Sequence, residues 1–283
     1  MNVAVVTGSQ TCLPRELVEE LDITVLPYTL VLDGREYLDG VDMTPEEFYR
    51  LLPNLNGRYG TSSISPGLFL ETFQKLSRRY RGILVITISS SMSGVYNNAR
   101  LAAESFRDVP VMVLDSGTAA LAQGLVVLRA AKAAKAGASL EECYRVAAEA
   151  ASRVRLLAYI STFEYLRKSG RVKAVAALAA DALSIKPVFA FREGKVELVG
   201  RRRSAERARE LIAELVLEYW EENERKPLEL AVFHASSPSE ADDLAKRIIS
   251  RVPVAGEVIF SEFTPVMGIH TGPGVVGAAF LPS

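Results

Sequence analysis

"ILVITISSSMSGVYNNARLAAESF", residues 83–106, decides the fold. Its first six residues, Ile83–Ile88, form an unbroken apolar run, the pattern of a strand buried on both faces. Ser89, Ser90, Ser91, Ser93 and Gly94 then crowd the place where such a strand should stop. From Val95 the period changes. Val95, Ala99, Ala102, Ala103 and Phe106 recur at helical spacing on one face. A buried strand, a turn and an amphipathic helix in that order make a crossover unit, and crossover units build parallel sheets.

The same alternation extends in both directions. Residues 3–7 and 109–114 are β-rich runs bounded by turn residues. "SPGLFLETFQKLSRRY" (65–80) sets serine before proline, which suits an N-cap and a first helical position. "LAQGLVVLRAAKAAKAG" (121–137) reads as a helix closed by glycine. Residues 20–60 are less regular, although Thr44 and Glu47 in "TPEEF" offer a capping box.

The second half has another character. A helix from about Leu140 leads into "LLAYIS", then "TFEYLRKSGRV" and an Ala-rich helix. "SIKPVFAFREGKVELVG" reads as two strands joined at Glu193–Gly194, and a hairpin is antiparallel. A helix over 204–224, a strand over 228–234, a helix opening at "SPSE" and a strand over 256–262 follow. The expected fold is therefore α/β: an N-terminal parallel-sheet domain with flanking helices over 1–155, and a C-terminal α+β domain with a mixed or antiparallel sheet over 156–283.

Composition narrows the function. Lys+Arg number 33 against Asp+Glu 34 in 283 residues, a net charge of −1. Bulk nucleic-acid binding needs a strong positive field and is not expected. Cys12 and Cys143 are the only cysteines and lie far apart, which argues against a disulfide framework or a zinc cluster. "MNVAVVTGSQ" reads as a strand, not a secretion signal. No run reaches the ~18 uncharged apolar residues of a membrane span. The Ala-rich stretches are broken by Arg129, Lys132, Lys135 and Asp181. The expectation is a soluble, cytoplasmic protein without cofactor, metal or stable membrane insertion.

The hydroxyls at 89–94 fit several roles: helix caps, a nucleophile, a phosphate cradle or a carboxylate seat. Ligands of open α/β sheets bind beyond the carboxyl ends of strands, where these residues stand. Backbone N–H groups at the following helix start favour an anion, and Gly94 lets a ligand approach the backbone. "TSSISPG" (61–67), with Thr61, Ser62, Ser63 and Ser65, is a second cluster, and Asp115, Ser116 and Thr118 mark a third. Three such strand ends would line one edge of a single sheet. The chain has two histidines. His234 ends an apolar run and reads as structural, while His270 lies among Gly268, Gly272 and Gly274 and suits ligand contact. Ser93, His270 and Asp115 supply the residue types of a hydrolase triad. However, no serine stands in a G-x-S-x-G elbow, and no nucleotide-binding glycine motif occurs. "GRRRSAERARE" (200–210) places arginines at a helix start, against the macrodipole, which hints at an anionic partner.

Taken in order, "TGSQTCLP", "TSSISPG", "ISSSMSGVY", "LDS", "YLRKSGRV", "IKPVF" and "GIHTGPG" resemble the DegV family of bacterial fatty-acid-binding proteins over nearly the whole chain. One departure is visible: Gly8 stands where the family usually carries aspartate. The resemblance implies a long-chain fatty acid such as palmitate held between two domains, its carboxylate on hydroxyls at Thr61 and Ser93. Ser62 and Gly94 belong to the same motifs, and His270 and Arg171 lie in motifs placed near the head group. It also implies a carrier, monomeric when free, that presents the carboxylate to a separate ATP-binding fatty acid kinase for acyl phosphate formation. Arg202 matches a basic position and is the expected partner contact. In that reading burial of about 14 methylenes at ~0.8 kcal/mol each contributes roughly 11 kcal/mol, before association costs of several kcal/mol. A serine hydrolase or acyltransferase using Ser93 and His270, or a lipid sensor, are the alternatives.

Overall fold

The computed structural model of the protein describes residues 2–55, 59–170, 185–192 and 194–283. It opens with β1 (Val3–Gly8), α1 (Arg15–Glu20), β2 (Ile23–Leu26), β3 (Thr29–Leu32), β4 (Arg35–Leu38), α2 (Pro45–Leu51) and β5 (Tyr59–Ser62). Next come α3 (Pro66–Leu76), β6 (Gly82–Thr87), α4 (Val95–Ser105), β7 (Val111–Asp115), α5 (Ala120–Lys135) and α6 (Leu140–Arg153). Then follow β8 (Arg155–Tyr159), α7 (Glu164–Lys168), β9 (Lys186–Arg192), β10 (Lys195–Arg202) and α8 (Ala205–Glu222). The chain closes with β11 (Leu228–His234), α9 (Pro238–Ile249), β12 (Ile259–Glu262), α10 (Pro265–Thr271) and β13 (Val276–Pro282).

The first sheet is parallel throughout, in the order β2-β1-β6-β7. Its two central strands, β1 and β6, are buried at every position, which is why both read as continuous apolar runs. A second, six-stranded sheet runs β10-β9-β8-β13-β11-β12. It is mixed: β11 and β12 are parallel, and the other pairs are antiparallel. The fold is thus α/β with one parallel and one mixed sheet, as the sequence leads one to expect. The 155/156 division falls at the first residue of β8. Apolar side chains from β1 to β13 nevertheless join one continuous core across it.

Helix α5 explains that continuity. It is buried on nearly every face and packs on β1 and β6 of the first sheet and on β11 and β13 of the second. An all-round apolar helix belongs inside a protein, not on its surface. Period-two alternation gives β8 two jobs. Leu156, Ala158 and the following Ile160 face this shared interior, while Leu157 and Tyr159 join a second core under α8 and α9. Helix ends match their sequence signals: Thr44 with Glu47, and Ser139 with Glu142, form capping boxes, and Ser65 and Ser204 cap α3 and α8.

Two expectations are corrected. The irregular stretch 20–60 holds part of a third, antiparallel sheet, β4-β3-β5. Thr61 and Ser62 lie in β5 of that sheet, so the three hydroxyl clusters do not line one edge of the parallel sheet. The arginines of 200–203 do not start a helix either. Arg201 and Arg202 end β10, Arg202 pairing with Lys186 across the hairpin, and Ser204 caps α8 only afterwards. The macrodipole argument therefore does not apply to them. The hairpin β9–β10 is present and Gly194 has φ +77°. Glu193, Arg171 and the expected Ala-rich helix lie outside the described residues. Among the described residues, no helix is long and apolar enough to cross a membrane and no side-chain cluster could hold a metal ion.

Candidate functional site

Between the two sheets lies a cavity of about 250 Å³. Strand alternation builds its apolar wall. Leu156, Ala158 and Ile160 project from β8 and beyond, Phe189 and Phe191 from β9, Val196 from β10 and Phe233 from β11. Phe233 stacks on Phe263, ring centroids 4.9 Å apart. Ile88 and Met92, after β6, and Val266 and Met267, on α10, complete the apolar surface.

Polar groups reach the cavity from three elements. Thr61 comes from β5, with Ser63 just beyond it, Ser93 and Gly94 come from the turn after β6, and His270 comes from the last turn of α10. Thr61 Oγ1 and His270 Nε2 are 3.1 Å apart. The Ser93 hydroxyl oxygen accepts from Val95 N at 3.4 Å, which leaves its proton available for donation into the cavity. Asn98 of α4 ties the β5 end in place, donating to Ser63 Oγ and to the Ile64 carbonyl. Gln10, Tyr28 and Thr271 add further polar lining. Among the described lining residues none is Lys, Arg, Asp or Glu.

The structure brings Thr61, Ser93, Gly94 and His270 to one cavity. Ser62 is not among its lining: it is exposed on the opposite face of β5, because side chains alternate along a strand. Ser63, two positions from Thr61, occupies the place expected for it. The other hydroxyls serve the turns. Ser89 and Ser91 both donate to the Gly194 carbonyl, the former at 3.0 Å, and fasten the β9–β10 hairpin. Asp115 accepts from Ser90 N and from Gly117 N, one bond to each carboxylate oxygen, and lies outside the cavity. It is therefore not aligned as the third member of a triad with Ser93 and His270. His234 keeps a structural place, accepting from Ser237 N on Nδ1, and burial lowers its pKa.

Helix α10 is held from the other half of the chain. Asp39 Oδ1 accepts from Val266 N at 2.9 Å, and Tyr49 donates to the Phe263 carbonyl. Gly268 packs so closely on Phe48 and Tyr49 that a Cβ there would lie 2.6 Å from the Tyr49 hydroxyl. Burial raises the Asp39 pKa, with hydrogen bonds from Ser9, Val266 and Thr264 opposing it.

A family model described as "Uncharacterised protein, DegV family" matches residues 2–283. The chain belongs to the DegV family. A DegV domain-containing protein of Streptomyces coelicolor is 33% identical over 277 residues, 98% of this chain and 97% of that one. Among solved structures, a Thermus thermophilus DegV family protein described by its fatty acid binding superposes with TM-score 0.93 at 29% identity, each chain covered fully. The Bacillus subtilis DegV, described as a fatty acid binding protein, gives TM-score 0.90 at 27% identity, again with full coverage.

Gly8 also has a structural setting. A Cβ at this position would lie 2.2 Å from Gln10 Oε1 and 2.9 Å from Tyr28 Cε2. The bare Gly8 leaves room for the Gln10 amide. Sequence reading passes over Gln10 and Tyr28, and names Ser63 only as one hydroxyl of the 61–67 cluster. Only the two-residue period of β5 could have singled out Ser63 in place of Ser62.

Proposed function

We propose that the cavity holds a long-chain fatty acid, its tail against the apolar wall and its carboxylate at Thr61, Ser93 and His270. The observation that carries this reading is an apolar cavity closed at one place by two hydroxyls and a histidine. A carboxylate leaving water must be fully hydrogen-bonded, and neutral O–H and N–H donors can satisfy it. The Thr61–His270 contact suits that task. With Nε2 protonated, His270 donates to Thr61, whose own hydrogen is then directed to the ligand. The fatty acid binding described for the relatives from T. thermophilus and B. subtilis supports the same reading.

The protein is a carrier in this account, not a catalyst. It presents the acid to a separate ATP-binding kinase, where a carboxylate oxygen attacks the γ-phosphorus, ADP leaves and an acyl phosphate forms. Arg202, at the end of edge strand β10 with exposed Arg201 and Arg203 beside it, is the proposed docking contact. Arg171 remains a candidate for the head group.

Titration with palmitic acid and with the alcohol of equal chain length tests the ligand. The acid should bind more tightly, since the donors converge on an acceptor-only group. Equal affinities would remove the head-group assignment.

A further inference from the structure

Gln10 stands on the short turn Ser9–Thr11 after β1, is 2% exposed and lines the cavity. A chain of hydrogen bonds fixes which way its amide points. The Ile86 carbonyl can only accept. It receives Thr7 Oγ1 at 2.9 Å and Gln123 Nε2 at 3.0 Å. Gln123 Nε2 also donates to Thr7 Oγ1 at 2.9 Å, so both its hydrogens are occupied. Gln123 is fully buried and turns its Oε1 toward Gln10, 3.1 Å from Gln10 Nε2. Gln10 must therefore donate through nitrogen, and its oxygen faces the other way. That oxygen lies over Gly8 and beside Tyr28, where a Cβ on Gly8 would overlap it. It is buried, and no described group donates to it. An acceptor in that state costs free energy until a donor arrives.

The place is next to the polar end of the cavity. Thr29 pairs with Ser62, so Tyr28, one residue earlier, continues toward Ser63. We propose that Gln10 Oε1 accepts a hydrogen bond from an O–H carried by the ligand near its head group, so that this DegV protein discriminates for acyl ligands offering a donor there. The inference rests on the fatty-acid reading above. An ionised carboxylate has no donor and cannot serve. The O–H comes either from a hydroxyl on the first carbons of the chain or from the protonated carboxyl itself.

Calorimetric titration of the full-length protein with palmitic, α-hydroxypalmitic and β-hydroxypalmitic acid, at neutral and mildly acidic pH, distinguishes the sources. A chain hydroxyl predicts that one hydroxy acid binds about tenfold more tightly than palmitic acid, the worth of one buried hydrogen bond. A carboxyl proton predicts that palmitic acid itself tightens as pH falls. In either case the effect should vanish in Gln10→Leu. If that variant does not fold, Gly8→Ala, which displaces Oε1, serves the same purpose. Wild-type protein that binds all three acids equally at both pH values overturns the role of Gln10, as does an advantage that survives both substitutions. An ordered water already donating to Oε1 would produce the first of these results. Wild-type protein that binds none of the acids overturns the fatty-acid reading instead.

Discussion

Thr61 Oγ1 lies 3.1 Å from His270 Nε2, across 209 residues of sequence. The small antiparallel sheet brings one residue and α10 the other, so the contact closes the cavity between the two halves of the chain. Neither side chain is fully buried, and both line the same cavity. The polar end of the cavity is thus assembled from separate elements, beside an apolar wall provided largely by the six-stranded sheet.

Thr61→Ala and Ser93→Ala should each weaken palmitic acid binding by about 1–3 kcal/mol, the cost of losing a hydrogen bond to a charged group. Neither hydroxyl belongs to the core, so circular dichroism and the unfolding midpoint should change little. Unchanged affinity in both single variants and in the double variant would remove the carboxylate from this place.

Asp39 should act through α10. It is 2% exposed, and its carboxylate accepts from Val266 N at the start of the helix that carries His270. Burial raises its pKa above the ordinary 3.8. A carboxyl whose folded pKa is raised binds more protons in the native state than in the unfolded one. Its contribution to stability is then complete below about 3.8 and is lost as pH rises through the folded value. Asp39→Asn keeps the acceptor for Val266 N and removes the titration. The wild-type-minus-variant difference in urea unfolding free energy should fall as pH rises through that window. A difference flat with pH would show that Asp39 does not titrate abnormally.

Gly272 should resist substitution. It ends α10 at φ +70°, ψ 179°, and a Cβ there would lie 2.1 Å from the Tyr165 ring. Strain at such a backbone position is of order 1–3 kcal/mol before the overlap is counted. Gly272→Ala should lower the thermal midpoint and, because His270 is two residues away, weaken palmitic acid binding as well. A variant with wild-type midpoint and affinity would show that α7 and α10 adjust freely.

Arg202→Ala should preserve palmitic acid affinity but reduce acyl phosphate formation when a cognate kinase and ATP are supplied. The deficit should shrink at high salt, where exposed charges are screened over a Debye length of ~8 Å or less. Wild-type turnover at every salt concentration would leave the β10 arginines as plain surface.

The legible parts of this fold were those with strong periodicity. β1, β6 and α4 declare themselves because burial on both faces, or on one helical face, leaves an unambiguous pattern. The small sheet was missed because β4 ("REYL") is mostly exposed and β5 ("YGTS") is short and polar, so neither alternates clearly. α10 was hidden by its length of seven residues and by Gly268 within it. Motif order singles out Thr61, Ser93 and His270, which the structure brings to one cavity. The exchange of Ser62 for Ser63 depends on strand phase, which four residues do not fix. Gln10 was invisible for another reason. Its importance comes from Gln123 and Ile86, distant in sequence, which lock its amide, and from the missing side chain of Gly8.

The most direct test of the account is native mass spectrometry of the protein purified without added lipid, followed by organic extraction and identification of whatever is released. The account predicts a complex heavier than the chain by the mass of one long-chain fatty acid, released on denaturation as the free acid. Protein found only at the mass of the bare chain, which also fails to take up palmitic acid on incubation, would contradict it.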